Sequence, residues 1–99
     1  MNVRFTQKSR EKLDAVYHYY KDLSQGMYGS KLRLRIIQKA LLLKDFPLLG
    51  QEEDTLKHFG MGFRYLVEGS YKIIYRVEGN DVLIINIFDT RQDLEKMFD

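Results

Sequence analysis

Four cationic side chains in the second half of the sequence, Arg64, Lys72, Arg76 and Arg91, have the chemistry to hold an anion. Such groups neutralise phosphates and stabilise the charge that develops on an attacking or leaving oxygen. Bond cleavage also needs a base and an acid of suitable pKa within reach. The histidines are His18, set among Tyr17, Tyr19 and Tyr20, and His58, a lone loop residue of the kind that is ordinarily solvated. Glu52-Glu53-Asp54 pairs carboxylates without an apolar run beside them, so a solvated loop is expected there. Two histidines, no cysteine and no closely spaced acidic partner make no metal site, and no cofactor is expected. Tyr65, Tyr71 and Tyr75 have faces on which bases stack. Tyrosine at alternating strand positions first of all packs on a pleated surface, however. Tyr71 and Tyr75 alternate with Ile73 and Val77 and are expected beneath a covering layer.

The chain that must position these groups has 99 residues, a formal net charge of +2 and 44% hydrophobic residues. That is a single folded domain over residues 1–99. The lack of cysteine excludes a disulfide scaffold, thiolate metal sites and a catalytic thiol. The longest apolar runs, Ala40 to Leu43 and Val82 to Ile85, are four residues each, too short for a membrane span or a signal-peptide core. A soluble cytoplasmic protein is therefore expected. Charge is uneven: residues 1–40 carry nine Lys/Arg against three Asp/Glu, whereas residues 80–99 carry two against five. A basic first half suits an acidic partner as well as it suits solvation.

The patterning predicts six elements. Residues 2–6 alternate and read as a strand, and Thr6 is placed to cap a helix. Leu13, Val16, Tyr17, Tyr20 and Leu23 form the apolar stripe of that helix, with Gly26 as its stop. A second helix is expected from Gly29 or Ser30 to Asp45, burying Leu32, Ile36, Ile37, Ala40, Leu41 and Leu43, and Pro47 forbids its continuation. The short link makes the two helices an antiparallel hairpin. After a loop over residues 47–62 the period changes to two, with strands over residues 63–67, 71–77 and 82–88 joined by tight turns. The last strand is apolar on both faces and belongs inside the sheet, with the first strand beside it. Residues 92–98 are expected to add a short helical turn. The expected architecture is α+β, two-layer, β–α–α–β–β–β. A helical hairpin packs on one face of an antiparallel sheet, and a more polar opposite face carries Lys72 and Arg76.

This order of elements, together with particular residues, resembles the RelE/ParE toxin superfamily of bacterial type II toxin–antitoxin modules. The matching residues are Phe5-Thr6, Tyr17-x-x-Tyr20, Leu43-x-x-x-Pro47-x-x-Gly50, Phe63-Arg64-Tyr65-Leu66-Val67, Ser70 to Val77, and Ile87-Phe88-Asp89-Thr90-Arg91-Gln92-Asp93. The resemblance implies a cytoplasmic growth inhibitor neutralised by a cognate antitoxin whose segment wraps around it as a hetero-oligomer. RelE-like members cleave mRNA on the ribosome, and there Lys72, Arg91 and Arg64 match basic catalytic positions, with Glu52 or Glu53 as a lesser candidate for the base. The proton-transferring tyrosine or His–Tyr pair of many active relatives falls in residues 94–99, which contain neither residue type. The resemblance therefore favours the ParE-like branch, whose members typically poison DNA gyrase without a ribonuclease site. On that reading Arg64, Lys72, Arg76 and Arg91 bind target or antitoxin. The alternatives are a ribosome-dependent endoribonuclease and a degenerate member that only binds its partner.

Overall fold

The computed structural model describes residues 1–98 and the side chains of residues 1–97. Strand β1 (Asn2–Phe5) runs into helix α1 (Gln7–Asp22), which is followed by helix α2 (Gly26–Leu41). The sheet continues through β2 (Gln51–Glu52), β3 (Arg64–Glu68), β4 (Tyr71–Glu78) and β5 (Asp81–Asp89). Tight 3₁₀ turns occupy Leu42–Lys44, Asp54–Phe59 and Leu94–Phe98.

Thr6 caps α1 as its position predicts. Its Oγ1 accepts from the Ser9 N–H at 3.2 Å and donates to the Ile84 carbonyl at 3.1 Å, tying the helix start to the sheet. Leu13, Val16 and Tyr20 face the core, but Leu23 lies beyond the last turn and is exposed. The helix stops before Gly26. Ser24 takes the left-handed conformation with φ +59°, and Gln25 N–H returns to the Tyr20 carbonyl at 2.7 Å. Gly26 thus opens α2 three residues earlier than Gly29, which has a different task. A Cβ on Gly29 would lie 2.9 Å from Tyr20 Cβ and 3.1 Å from the Tyr17 carbonyl, so the helices touch there through a missing side chain. At its other end α2 stops at Leu41 and tightens into a 3₁₀ turn instead of reaching Asp45.

The strand order is β1-β5-β4-β3-β2. The expectation of an antiparallel sheet is corrected at one edge: β1 pairs with β5 in parallel, Val3 opposite Val82 and Phe5 opposite Ile84, so the sheet is mixed. No local turn sets the direction of β1. The whole chain intervenes between β1 and β5, and such a crossover permits parallel pairing. The other pairs are antiparallel, including the two-residue β2, which the alternation of residues 47–62 did not reveal.

A bulge interrupts β4–β5. Asn86 faces Ile74, yet Ile84 faces Tyr75, so Ile85 is an extra residue on β5. Leu32, Ile36, Ile73, Tyr75, Ile84 and their neighbours fill the layer between helices and sheet. The opposite face is not left open and polar, contrary to expectation. Leu56, Ile74, Phe88 and Met97 form a second buried cluster there, with Phe63 and Tyr65 packed against it. The two 3₁₀ segments supply Leu56 and Met97 and so act as a thin third layer. That double covering is why β5 is apolar on both faces. No described helix is long and apolar enough to cross a membrane.

Candidate partner-binding surface

The four sequence-selected cations do not converge. Arg64 lies opposite Tyr75 in the β3–β4 ladder and therefore shares the helix-side face. Its guanidinium donates to the Gly50 carbonyl at 2.8 Å, while Gly50 N–H donates to Tyr75 Oη at 2.9 Å. A Cβ on Gly50 would sit 2.6 Å from the Tyr65 carbonyl, so only glycine lets the link pass that closely. Burial pushes the Tyr75 hydroxyl above its ordinary range. Arg64 thus clamps the link leaving α2 to the sheet.

Lys72 and Arg76 point to the other face, as the alternation predicts. Arg76 pairs with Glu78 at 2.7 Å. Lys72 donates to Glu53 at 2.8 Å and stands 4.2 Å from the centre of the Tyr65 ring. Glu53 was expected in a solvated loop but is only 3% exposed. Its carboxylate also accepts from Thr55 N–H, starting the 3₁₀ segment that covers Leu56. The sequence clue to this burial is the apolar Leu56 three residues later, which demands that its segment fold back. Glu52 beside it is exposed.

Arg91 is on the helix side, across the sheet from Lys72. Asp89 opposes Tyr71 in the ladder, and Lys72 opposes Phe88, so the two cations leave opposite faces. Arg91 holds Asp89 through two bonds of 2.9 and 2.8 Å and lies 5.5 Å from the Tyr19 ring centre on α1. Hydrogen bonds from Arg91 hold the Asp89 carboxyl below its usual range. The bonds to Asp89 likewise keep the guanidinium above its own. Thr90 fixes the strand end by donating its N–H (2.8 Å) and hydroxyl (2.7 Å) to the Ser70 carbonyl. Burial, and then the Asp89 charge, push the Tyr71 hydroxyl up to about 12. A cleft of about 570 Å³ opens here between α1 and β5, with His18 on its wall. Glu11, Lys12, Asp14 and Asp89 line that cleft, with Asp14 and Asp89 held by Arg33 and Arg91. His58 stacks on Phe59 at 4.2 Å, in the segment on the opposite face. Among the described residues, no three His, Cys, Asp or Glu side chains are grouped to hold a metal ion.

The best-presented surface is on the helical hairpin, which permits partner addition, and its exposed residues Met27 and Leu34 were not among the candidates selected from the sequence. Met27, Leu34 and Leu41 recur every seven residues along α2 and are 75%, 53% and 50% exposed. They lie on the side of the helix away from Leu32, Ile36 and Ala40, which are buried. Leu41 was expected in the core. At 100° per residue it belongs with Leu34, not with Ile36. The signal was available in the sequence as a second apolar stripe of helical period. Phe46, Leu48 and Leu49 extend the exposed apolar residues into the following link.

Charge around this stripe is of one sign. Helix α2 contains Lys31, Arg33, Arg35 and Lys39 and no acidic residue. Arg33 is engaged by Asp14 at 3.2 Å, and Lys39 donates to the Val67 carbonyl at 2.7 Å. Lys31 and Arg35 both lie on one side of the stripe at the helical period, and form no ion pair among the described residues. A linear apolar strip with unpaired cations along one edge has the chemistry to match an amphipathic segment with an acidic edge. A second copy of the same helix would oppose like charges along the whole contact.

Comparison with known proteins agrees with this architecture. A chain from the solved structure of a chromosomal ParDE TA system from P. aeruginosa superposes with a TM-score of 0.76 at 22% identity, covering 90% of this chain and 95% of that one. At that identity the likeness concerns the fold. No curated protein matches the sequence. The family described as the ParE toxin of the type II toxin-antitoxin system, parDE, matches residues 3–94. With nearly the whole chain matched and the fold shared, this protein belongs to the ParE toxin family.

Proposed function

We propose that the protein inhibits growth by binding a macromolecular target, DNA gyrase on the ParE-like reading, and that a cognate antitoxin neutralises it by laying an acidic amphipathic segment along α2. The observation that carries the antitoxin surface is the exposed Met27–Leu34–Leu41 stripe, with unpaired Lys31 and Arg35 along one side of it. Binding is favoured over catalysis because the candidate ribonuclease cations are separated and occupied. Arg64 holds a backbone carbonyl, Lys72 holds a buried carboxylate, and Arg91 holds Asp89 on the far side of the sheet. Arg91, half exposed beside Tyr19, is the one of these best presented to a target. A cytoplasmic site of action follows from this reading.

Purified protein is tested for loss of gyrase supercoiling and, in parallel, for cleavage of mRNA on ribosomes. Supercoiling is expected to fall with the mRNA intact. Ribosome-dependent cleavage would replace the binding reading with the catalytic one. The surface is tested by Leu34→Glu. Folding stability should stay within about 0.5 kcal/mol, since the side chain is exposed. Affinity for the product of the adjacent antitoxin reading frame should fall at least tenfold, so that cells expressing both remain inhibited. Unchanged affinity would move the antitoxin to another face.

A further inference from the structure

Past the end of α2 the chain crosses to β2 through Leu42, Phe46, Leu48 and Leu49, four large apolar side chains that are 47–65% exposed. Backbone turns hold them together. Phe46 N–H donates to the Leu42 carbonyl at 3.0 Å, and Leu49 N–H donates to the Phe46 carbonyl at 3.1 Å. Leu43 anchors the start of this link in the core, Pro47 restricts its middle, and the bonds to Gly50 pin its end. The exposed side chains therefore stand on a fixed backbone, which lowers the ordering cost of a contact made there. Taking about 200 Å² for a fully exposed large side chain, the four present roughly 400 Å², a patch of the size that is often functional on a monomer.

The charge in this link differs from that of α2. Lys44 and Asp45 are exposed, and neither forms an ion pair among the described residues. Neighbours one residue apart on a helical turn do not face each other, so they leave each other unmatched. A twofold axis supplies both missing partners. In an isologous contact each pairing occurs twice, Lys44 of one copy on Asp45 of the other and the reverse. The link is thus self-complementary in charge, whereas α2 presents cations alone.

We infer that two copies of this chain associate through the link between α2 and β2, with Leu42, Phe46, Leu48 and Leu49 packed across a twofold axis and Lys44 and Asp45 paired reciprocally. The two patches together bury roughly 800 Å², and a polar rim brings the contact to about 1,000–1,200 Å², the lower limit of specific interfaces. The dimer is accordingly weak and concentration-dependent, with a dissociation constant on the order of 10 µM. It requires neither the target nor the antitoxin.

Sedimentation equilibrium of the intact protein, from well below to well above that concentration, should show the mass rising from one chain to two. Leu48→Glu places two carboxylates in the apolar contact and should weaken association at least about tenfold. Lys44→Asp and Asp45→Lys should each weaken it by about tenfold, since each reversal acts twice. An equimolar mixture of those two variants should recover the wild-type affinity, because every contact is again between opposite charges. Leu34→Glu, on the α2 stripe, should leave the association unchanged. Four outcomes overturn the inference: a wild type that stays one chain throughout, Leu48→Glu dimerising as the wild type does, a mixture no stronger than either charge variant alone, or loss of the dimer in Leu34→Glu. A wild type that stays one chain would assign the patch to a different partner. The wild type and the mixture decide the matter even if Leu48→Glu does not fold.

Discussion

The two faces of the sheet are covered in different ways. On one face a sixteen-residue helix pair lies over β4 and β5, and Leu32, Ile36, Ala40, Ile73, Tyr75 and Ile84 interlock in a continuous layer. On the other, two 3₁₀ segments contribute one anchor each, Leu56 and Met97, over Ile74 and Phe88. The first face spends its polar groups on caps and clamps: Thr6 on Ile84, Arg64 on Gly50 and Tyr75 on Gly50. The second buries an ion pair, Glu53–Lys72, and leaves Asn86 Oδ1 unmatched. The contrast teaches where stability and adaptability reside. A long amphipathic helix buries an apolar stripe with all its backbone bonds satisfied internally. A 3₁₀ turn has poorer bond geometry and few side chains to bury, so its attachment is weaker.

Core truncations give the largest effect and the most direct way to break this contrast. Ile36→Ala, at a fully buried helix-side position, is expected to cost about 4 kcal/mol in urea unfolding, the upper part of the range for such deletions. Met97→Ala on the thin side should cost about 2 kcal/mol, because its terminal turn can relax around the gap. Equal costs would show that the two faces are equally consolidated.

The ion pair sharpens the comparison. Lys72→Met strands the Glu53 carboxylate in a buried site and should cost about 3 kcal/mol. The double variant Glu53→Leu, Lys72→Met should recover to within about 1 kcal/mol of the wild type, since apolar groups of similar size replace a buried pair at little loss. If the single variant is as stable as the wild type, Lys72 is not structural, and its position after Tyr71 regains interest as a binding residue.

Alkaline titration gives the smallest effect and reads the helix side alone. Tyr71 ionises at about 12 in the folded state against 10.0 for the free side chain. Its folded value is raised, so its contribution to stability is complete below pH 10. That contribution is lost as pH rises from about 10 towards 12, where the unfolded chain gives up a proton that the folded one keeps. Urea midpoints should therefore fall over that interval, and Tyr71→Phe should make the fall shallower. An identical fall in wild type and variant would place the cause elsewhere.

Periodicity alone determined most of the elements. The Thr6 cap, the stripe Leu13–Val16–Tyr20, the hairpin turns at Gly69 and Gly79 and the helix-side placement of Tyr71 and Tyr75 are all local consequences of spacing and side-chain type. Residue chemistry also identified the four cations, and the order of motifs pointed to the toxin superfamily. Tertiary structure decided the rest. It alone set the parallel direction of β1, because no short turn ties β1 to β5. It alone placed Ile85 in a bulge, because an apolar run such as Val82 to Ile85 looks the same in either phase. It separated Lys72 from Arg91, converted Glu53 from an exposed to a buried residue, and left Leu34 and Leu41 uncovered. The reason is physical: alternation and helical period report which residues share a side of one element. Which side is then covered, and by what, depends on contacts between segments far apart in the chain.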